Sequence, residues 1–183
     1  MSSKLYEFKV TFKYFSEVDT YRIFRVVSLT SLAAFGIAIV LSFNGDCSHL
    51  FQFRNNNQSY VIYNADSLGQ ALSAYDYTVD ELVKDSNFYY DYGDGWEFGI
   101  ELIRIYQPSE IINNPLVIEG NGLGIIEDIG GYAALSKAYK KAPKKFEKIN
   151  IKNINLNIEM NVDTINELLL KYSGFTKDLL KNN

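Results

Sequence analysis

Tyr89–Leu102 reads "YYDYGDGWEFGIEL", and the reading of this stretch decides the fold class. Its fourteen positions hold five aromatics, four carboxylates and three glycines. Phe88, Tyr90 and Tyr92 alternate up to Gly93-Asp94-Gly95, and Trp96, Phe98, Ile100 and Leu102 alternate away from it, the period that turns one face of a strand into a core. Glycine takes positive φ without steric penalty, and an aspartate hydrogen-bonds turn backbone, so the segment predicts a tight hairpin bent at Gly93 and Gly95.

Further strands surround it. Tyr6, Phe8, Val10, Phe12 and Tyr14 alternate with Glu7, Lys9, Thr11 and Lys13, and Tyr21–Val27 follows as a hairpin partner. "HLFQFR" from His49 and "QSYVIY" from Gln58 are two short strands across the turn Asn55 to Asn57, which points to antiparallel pairing. Between these pairs runs "VVSLTSLAAFGIAIVLSFNG", Val26 to Gly45, without a charge. Polar residues crowd both ends and the dense apolar part spans Leu32 to Leu41, the length of a buried helix rather than a membrane span. Ser28 or Thr30 is expected to cap it. A second, short helix is expected over "VDELVK", with Thr78 and Glu81 at capping-box spacing. Gly130-Gly131 precedes a helix with Tyr132, Leu135, Ser136 and Tyr139 on one face, ended by Pro143. Ile151 to Ile158 alternates like a strand, and Val162, Ile165, Leu168, Leu169 and Tyr172 mark a terminal amphipathic helix. The expected architecture is α+β: an antiparallel sheet, a central buried helix and several peripheral helices. Residues 1–142 form the domain, and residues 143–183 form an extension packed on it.

Composition narrows the function. A net charge of -4 and a pI near 5.1 argue against a general nucleic-acid binder, whose affinity comes from Lys and Arg neutralising phosphates. The local exception is Lys137 to Lys152, seven lysines against one glutamate, including Lys137, Lys140, Lys141, Lys144, Lys145 and Lys148; its plain reading is a solvated helix end. The single cysteine, Cys47, excludes an internal disulfide and fits a reducing, cytoplasmic setting. Neither a signal peptide nor a membrane anchor is expected.

Candidate chemistry is sparse. His49 is the only histidine, so nucleophilic catalysis through an imidazole base has to use it. Cys47 lies two residues before it, and the expectation is that both pack in the core. Asp91 and Asp94 flank the hairpin loop, and Glu127 and Asp128 precede the glycine pair; converging, the four could hold a hard divalent cation. The competing structural reading makes Asp94 a turn residue and Asp128 a helix cap. "GNGLGI", from Gly120, lacks the third glycine of a dinucleotide fingerprint, and "YGDGW" fails the calcium-loop spacing.

The hairpin segment resembles the hallmark tyrosine-aspartate-aromatic-glycine-aspartate-x-tryptophan motif of the plasmid pRiA4b ORF-3-like family. "YRIFRVV", the helix ending in Phe43 before "SHLFQF", and "EDIGGY" before a helix follow in matching order, from Tyr6 to about Ala142. His49, Asp91, Gly93, Asp94, Trp96, Glu127, Asp128, Gly130, Gly131 and Tyr132 match the pattern. Two features depart from it: Phe98 stands near where many relatives carry a histidine after the tryptophan, and "GLGII" replaces the cysteine and prolines before the acidic pair. The resemblance implies an α+β domain of bacteria and archaea, often encoded on plasmids or beside transposable elements and sometimes labelled a transposon passenger of resolvase-like name, with no established activity.

The expectation drawn is an accessory protein of a mobile-element or host-defence locus, acting as a protein-interaction or structural module rather than an enzyme. Its surface would be the meeting of the hairpin and "EDIGGY" loops: His49, Asp91, Asp94, Trp96, Glu127, Asp128 and Tyr132, shaped by Gly93, Gly95, Gly130 and Gly131. No cofactor is predicted. The alternative is a metal-dependent hydrolase or nuclease using Asp91, Asp94, Glu127 and Asp128, and a weaker one is nucleic-acid contact through the lysines.

Overall fold

Alternating apolar and polar residues produce eight strands in the computed structural model, which describes residues 4–56, 58–63, 71–82, 86–107, 112–146 and 148–173. They are β1 (Leu5–Phe12), β2 (Tyr21–Val27), β3 (Phe51–Asn55), β4 (Gln58–Val61), β5 (Leu72–Ser73), β6 (Ser86–Tyr90), β7 (Trp96–Tyr106) and β8 (Leu116–Asn121). One sheet joins them in the order β5-β4-β3-β6-β7-β1-β2-β8, antiparallel except for the parallel β4–β5 pair. β1 lies near the middle, pairing Phe8 with Phe24 of β2 and with Leu102 of β7.

Helix α1 (Leu32–Ser42) lies on one face of this sheet. Phe35 meets Phe8, Phe24 and Phe53 at ring-centroid distances of 5.5, 5.3 and 6.2 Å, and Phe43 just beyond the helix meets Phe98 at 4.7 Å. Gly36 lets the helix approach: a Cβ there would fall 2.3 Å from the Phe51 ring. Every residue of α1 except Ala34 is buried, so the expected central helix is present, with each large apolar side chain contributing roughly 1.5–3 kcal/mol. Its cap is Ser31, whose hydroxyl accepts from Ala34 N, rather than Ser28 or Thr30. Ser28 instead accepts from Lys4 N just before β1.

The outer side of α1 is covered by α4 (Ile151–Tyr172), and here the expected strand is overturned. Ile151, Ile154, Ile158, Val162, Ile165 and Leu169 recur every three or four residues and face the core, and Asn150 caps the helix by accepting from Asn153 N. Over eight residues the isoleucines satisfy both periods; twenty-two residues of continuous helical spacing decide for the helix. Asn155 accepts from Val117 N and donates to Val117 O, both at 2.8 Å, blunting the exposed edge of β8.

Two shorter helices complete the fold, α2 (Gly131–Lys141) and α3 (Pro143–Phe146). "VDELVK" makes a single 3-10 turn, Val79–Glu81, without a side-chain cap; Thr78 forms a bridge to Ser31 instead, and Val83 and Lys84 lie outside the described residues, as does Asn57. None of the helices is long and apolar enough to cross a membrane, among the described residues.

The glycine stretch after β8 has a packing role. Gly122 and Gly124 take φ of +70° and +112°, and a Cβ on Gly124 would lie 2.3 Å from the Phe43 carbonyl oxygen. This close approach lets Ile125 N donate to Phe43 O, which carries the following residues, Glu127 and Asp128, to the end of α1.

Candidate functional site

Register places His49 and Asp91 together. Phe51 pairs with Tyr90 across β3 and β6, so the residues just outside that rung, on the approach to β3 and the exit from β6, share one end of the sheet. Asp91 N donates to Leu50 O at 3.1 Å and closes this corner. Asp91 sits at φ +54°, and its Oδ1 accepts from Gly93 N and Asp94 N at 2.9 and 3.3 Å, so a buried carboxylate organises the turn.

Glu127 enters from the other side. Its Oε1 accepts from the Tyr90 hydroxyl and from Asp46 N, each at 2.8 Å, which fixes the carboxylate between the sheet and the α1–β3 connection. Its Oε2 has no hydrogen-bond partner and lies 4.0 Å from His49 Nε2, which has none either; both atoms are inaccessible to solvent. His49 Nδ1 lies 3.7 Å from Asp91 Oδ1, and Nε2 lies 3.3 Å from Asp128 Oδ1. Burial pushes the Glu127 carboxyl above the usual carboxylate range, with Asp46 adding to the rise, although the Asp46 N–H and Tyr90 hydroxyl bonds oppose it. The Tyr90 hydroxyl is raised by burial and then by Glu127. One ligand atom each from His49, Asp91 and Glu127 lies within 4.8 Å of the other two.

The expectation that His49 packs in the core with Cys47 is therefore half corrected. Cys47 is buried and desolvation drives its thiol upward, which removes it as a nucleophile or ligand at neutral pH. His49 keeps a side chain 30 % exposed and joins the acids, because the φ of +63° at Cys47 turns the chain before β3.

The hairpin and "EDIGGY" loops do meet. Asp94 accepts from Gly130 N at 3.0 and 3.2 Å, Glu97 N donates to the Tyr132 hydroxyl at 2.8 Å, and the Trp96 and Tyr132 rings stand edge to face at 5.0 Å. Three details differ from expectation. Trp96 is fully buried and forms core rather than the floor of a surface. Asp128 does not cap α2: Gly130 occupies that position at φ +92°, and Asp94 supplies the carboxylate from the other loop. Asp94 is thereby spent on this joint, leaving His49, Asp91 and Glu127 as the set that converges, with the exposed Asp128 beside it.

The lysines stand apart from this corner. Lys137, Lys140 and Lys141 lie on α2, Lys144 and Lys145 on α3, and Lys148 beyond it, all exposed. Two participants escaped the sequence reading. Tyr90 is one; its alternation signals core and says nothing of its hydroxyl. Arg22 is the other: it holds an inward-facing strand position between Thr20 and Phe24, and is fully buried.

The structure is similar to a crystal structure titled a protein of unknown function, MM3350 from Methanosarcina mazei Go1, with a TM-score of 0.73 and 19% identity over 83% of this chain and 97% of that one, a likeness of fold. A segment of 89 residues is 28% identical to the uncharacterized protein y4hQ of Sinorhizobium fredii (strain NBRC 101917 / NGR234), covering 46% of this chain and 45% of that relative, so the match spans less than half the relative's length. With residues 4–157 matching its family model, the chain belongs to the plasmid pRiA4b ORF-3-like protein family.

Proposed function

We propose that this chain binds a divalent transition-metal ion through His49, Asp91 and Glu127 and uses it for hydrolytic chemistry. The observation that carries the reading is the pair of buried atoms without hydrogen-bond partners, His49 Nε2 and Glu127 Oε2, facing each other at 4.0 Å. That separation is too wide for a hydrogen bond and suits two ligands of one ion, since ligand atoms held about 2.1 Å from a metal stand some 3–4 Å apart. Buried polar groups in folded proteins are otherwise paired.

The donor set, one imidazole and two carboxylates, suits Zn²⁺ or Mn²⁺ better than a soft ion. A cation takes one imidazole nitrogen, and a carboxylate near the other nitrogen orients the ring. Three protein ligands leave a coordination position open, as in catalytic rather than structural sites, and an ion there lowers the pKa of bound water. Asp128, 81 % exposed and beside His49, stands where a fourth ligand or a proton acceptor is useful. Asp94, one of the four carboxylates first grouped as ligands, is left out of this set because it is engaged with Gly130 N.

Calorimetric titration of chelator-treated full chain with Zn²⁺ and Mn²⁺ tests the reading. One equivalent is expected, with His49→Ala weakening it by at least about a hundredfold; no uptake at millimolar metal sinks it. A protein-interaction role at a mobile-element or defence locus is the second reading, supported by Tyr14, just after β1, and Tyr92, in the hairpin turn, 72 % and 56 % exposed.

A further inference from the structure

A second site lies between the sheet and the start of α4, built around Arg22. Its Nε donates to Ser42 O at 3.0 Å, Nη1 to Tyr21 O and Asn121 O at 2.7 Å each, and Nη2 to Leu123 O at 3.0 Å. All four acceptors are neutral carbonyls, and the guanidinium stacks on Phe43 at 4.6 Å. Four bonds use four of its five N–H groups, and no carboxylate of the described residues pairs with it. Among the described residues Arg22 is therefore a fully buried cation without a counter-ion. Burial lowers its pKa to about 10, which leaves it charged at neutral pH. A buried charge without a partner is costly and is rarely kept for packing alone.

The glycines at the end of β8 and just beyond it serve this arrangement. A Cβ at Gly120 would lie 2.8 Å from Arg22 Cδ, and the following turns present the Asn121 and Leu123 carbonyls to the guanidinium. The stretch that fails as a dinucleotide fingerprint is thus the wrapping of a buried arginine.

Arg22 lines a pocket of about 220 Å³. Among the described residues its other charged lining residue is Lys148, exposed, and the first turns of α4 add the carboxamides of Asn150, Asn153 and Asn157. No acidic residue lines it among the described residues, although the chain as a whole carries a net charge of -4. Asn150 Oδ1 accepts from Asn153 N and Asn157 Oδ1 from Asn161, and among the described residues the Asn157 amide N–H groups donate to no protein acceptor. The positive end of a 22-residue helix, a buried guanidinium in a low-dielectric setting and an ammonium all favour the same sign of guest.

We propose that this pocket binds the oxyanion head, phosphate or carboxylate, of a small molecule, with Leu41, Leu123 and Ile154 taking an apolar part. The buried Arg22 supplies the field, Lys148 a direct ion pair, and the carboxamides of α4 the hydrogen bonds that orient the head. The site is separate from the His49 corner and does not depend on a metal there.

The test is titration of the full chain in chelator with inorganic phosphate and, separately, acetate, each against chloride at matched ionic strength, read by calorimetry and thermal shift. Saturable binding of one or both is expected, and which of them binds identifies the head group. Lys148→Glu and Asn157→Asp are each expected to weaken it about tenfold, the scale of one charge-assisted contact, with Lys144→Glu and His49→Ala within twofold of wild type. The proposal is overturned by binding no stronger than chloride's for both anions, by Lys144→Glu weakening it as much as Lys148→Glu, or by its loss in His49→Ala. Circular dichroism confirms that each variant folds, and both key substitutions are of surface or rim side chains rather than of Arg22 itself.

Discussion

Glu127→Gln should raise the stability of the metal-free protein while abolishing its response to metal. The substitution keeps the shape of a side chain whose Oε1 holds Tyr90 and Asp46 N, and it removes a charge whose Oε2 faces His49 without a partner. Because burial raises the Glu127 pKa in the folded state, the carboxylate weakens folding increasingly as pH climbs above the ordinary carboxylate value. A buried acceptor without a partner costs about 1 kcal/mol or somewhat more, so the variant should melt roughly 2–4 °C higher for a chain of this size. With metal at a hundred times its dissociation constant the wild type gains about 2.7 kcal/mol and the variant little, which reverses the order by several degrees. Differential scanning calorimetry at pH 7, with chelator and then with Zn²⁺ or Mn²⁺, reads both halves. A metal-free variant less stable than wild type, or melting curves whose order is the same in both conditions, would refute the reasoning and return Glu127 to a purely structural role.

Three other outcomes follow from the geometry. Asp94→Ala removes the bond to Gly130 N and should cost about 1 kcal/mol by urea unfolding, yet leave metal affinity within a few fold by calorimetry, because it sits on the joint between loops and not among the ligands. Glu7 is 4 % exposed, and Arg104 first, then Arg25 and Tyr106, hold its carboxyl at about 2; the resulting 2–3 kcal/mol, at order of magnitude, is present above pH 4.5 and lost as pH falls toward 2, so Glu7→Gln should be clearly destabilised at pH 7 and nearly matched to wild type at pH 2 in unfolding titrations. Gly124→Ala places a Cβ 2.3 Å from a backbone oxygen at φ +112° and should lower stability by roughly 2–4 kcal/mol, seen as a shifted denaturant midpoint with an unchanged slope.

Much of the fold was legible as pattern. Strand alternation in Tyr6–Tyr14, Tyr21–Val27 and Trp96–Leu102, the uncharged run before Gly45 and the hairpin at Gly93–Gly95 each express a local period or a steric preference of the backbone, and strands, buried helix and bend lie there. Ile151–Ile158 misleads because eight residues of isoleucine and asparagine fit two periods at once; the helical spacing sustained to Leu169 decides, and the face it makes covers the outer side of α1.

The candidate site divides in the same way. Residue types and the family resemblance together singled out His49, Asp91, Asp94, Glu127 and Asp128 and brought the two acidic loops into one hypothesis. Their division of labour is a matter of distance, which no spacing along the chain encodes: the β3–β6 register carries His49 to Asp91, and the passage of Gly124 over the end of α1 carries Glu127 to both. Packing likewise converts Asp94 from a ligand candidate into a strut, draws Trp96 wholly into the core and leaves the Arg22 charge buried among carbonyls. Local propensity acts through neighbours in the chain, and chemistry acts through neighbours in space, so the elements could be read from the sequence while the pairing of charges had to await the packing.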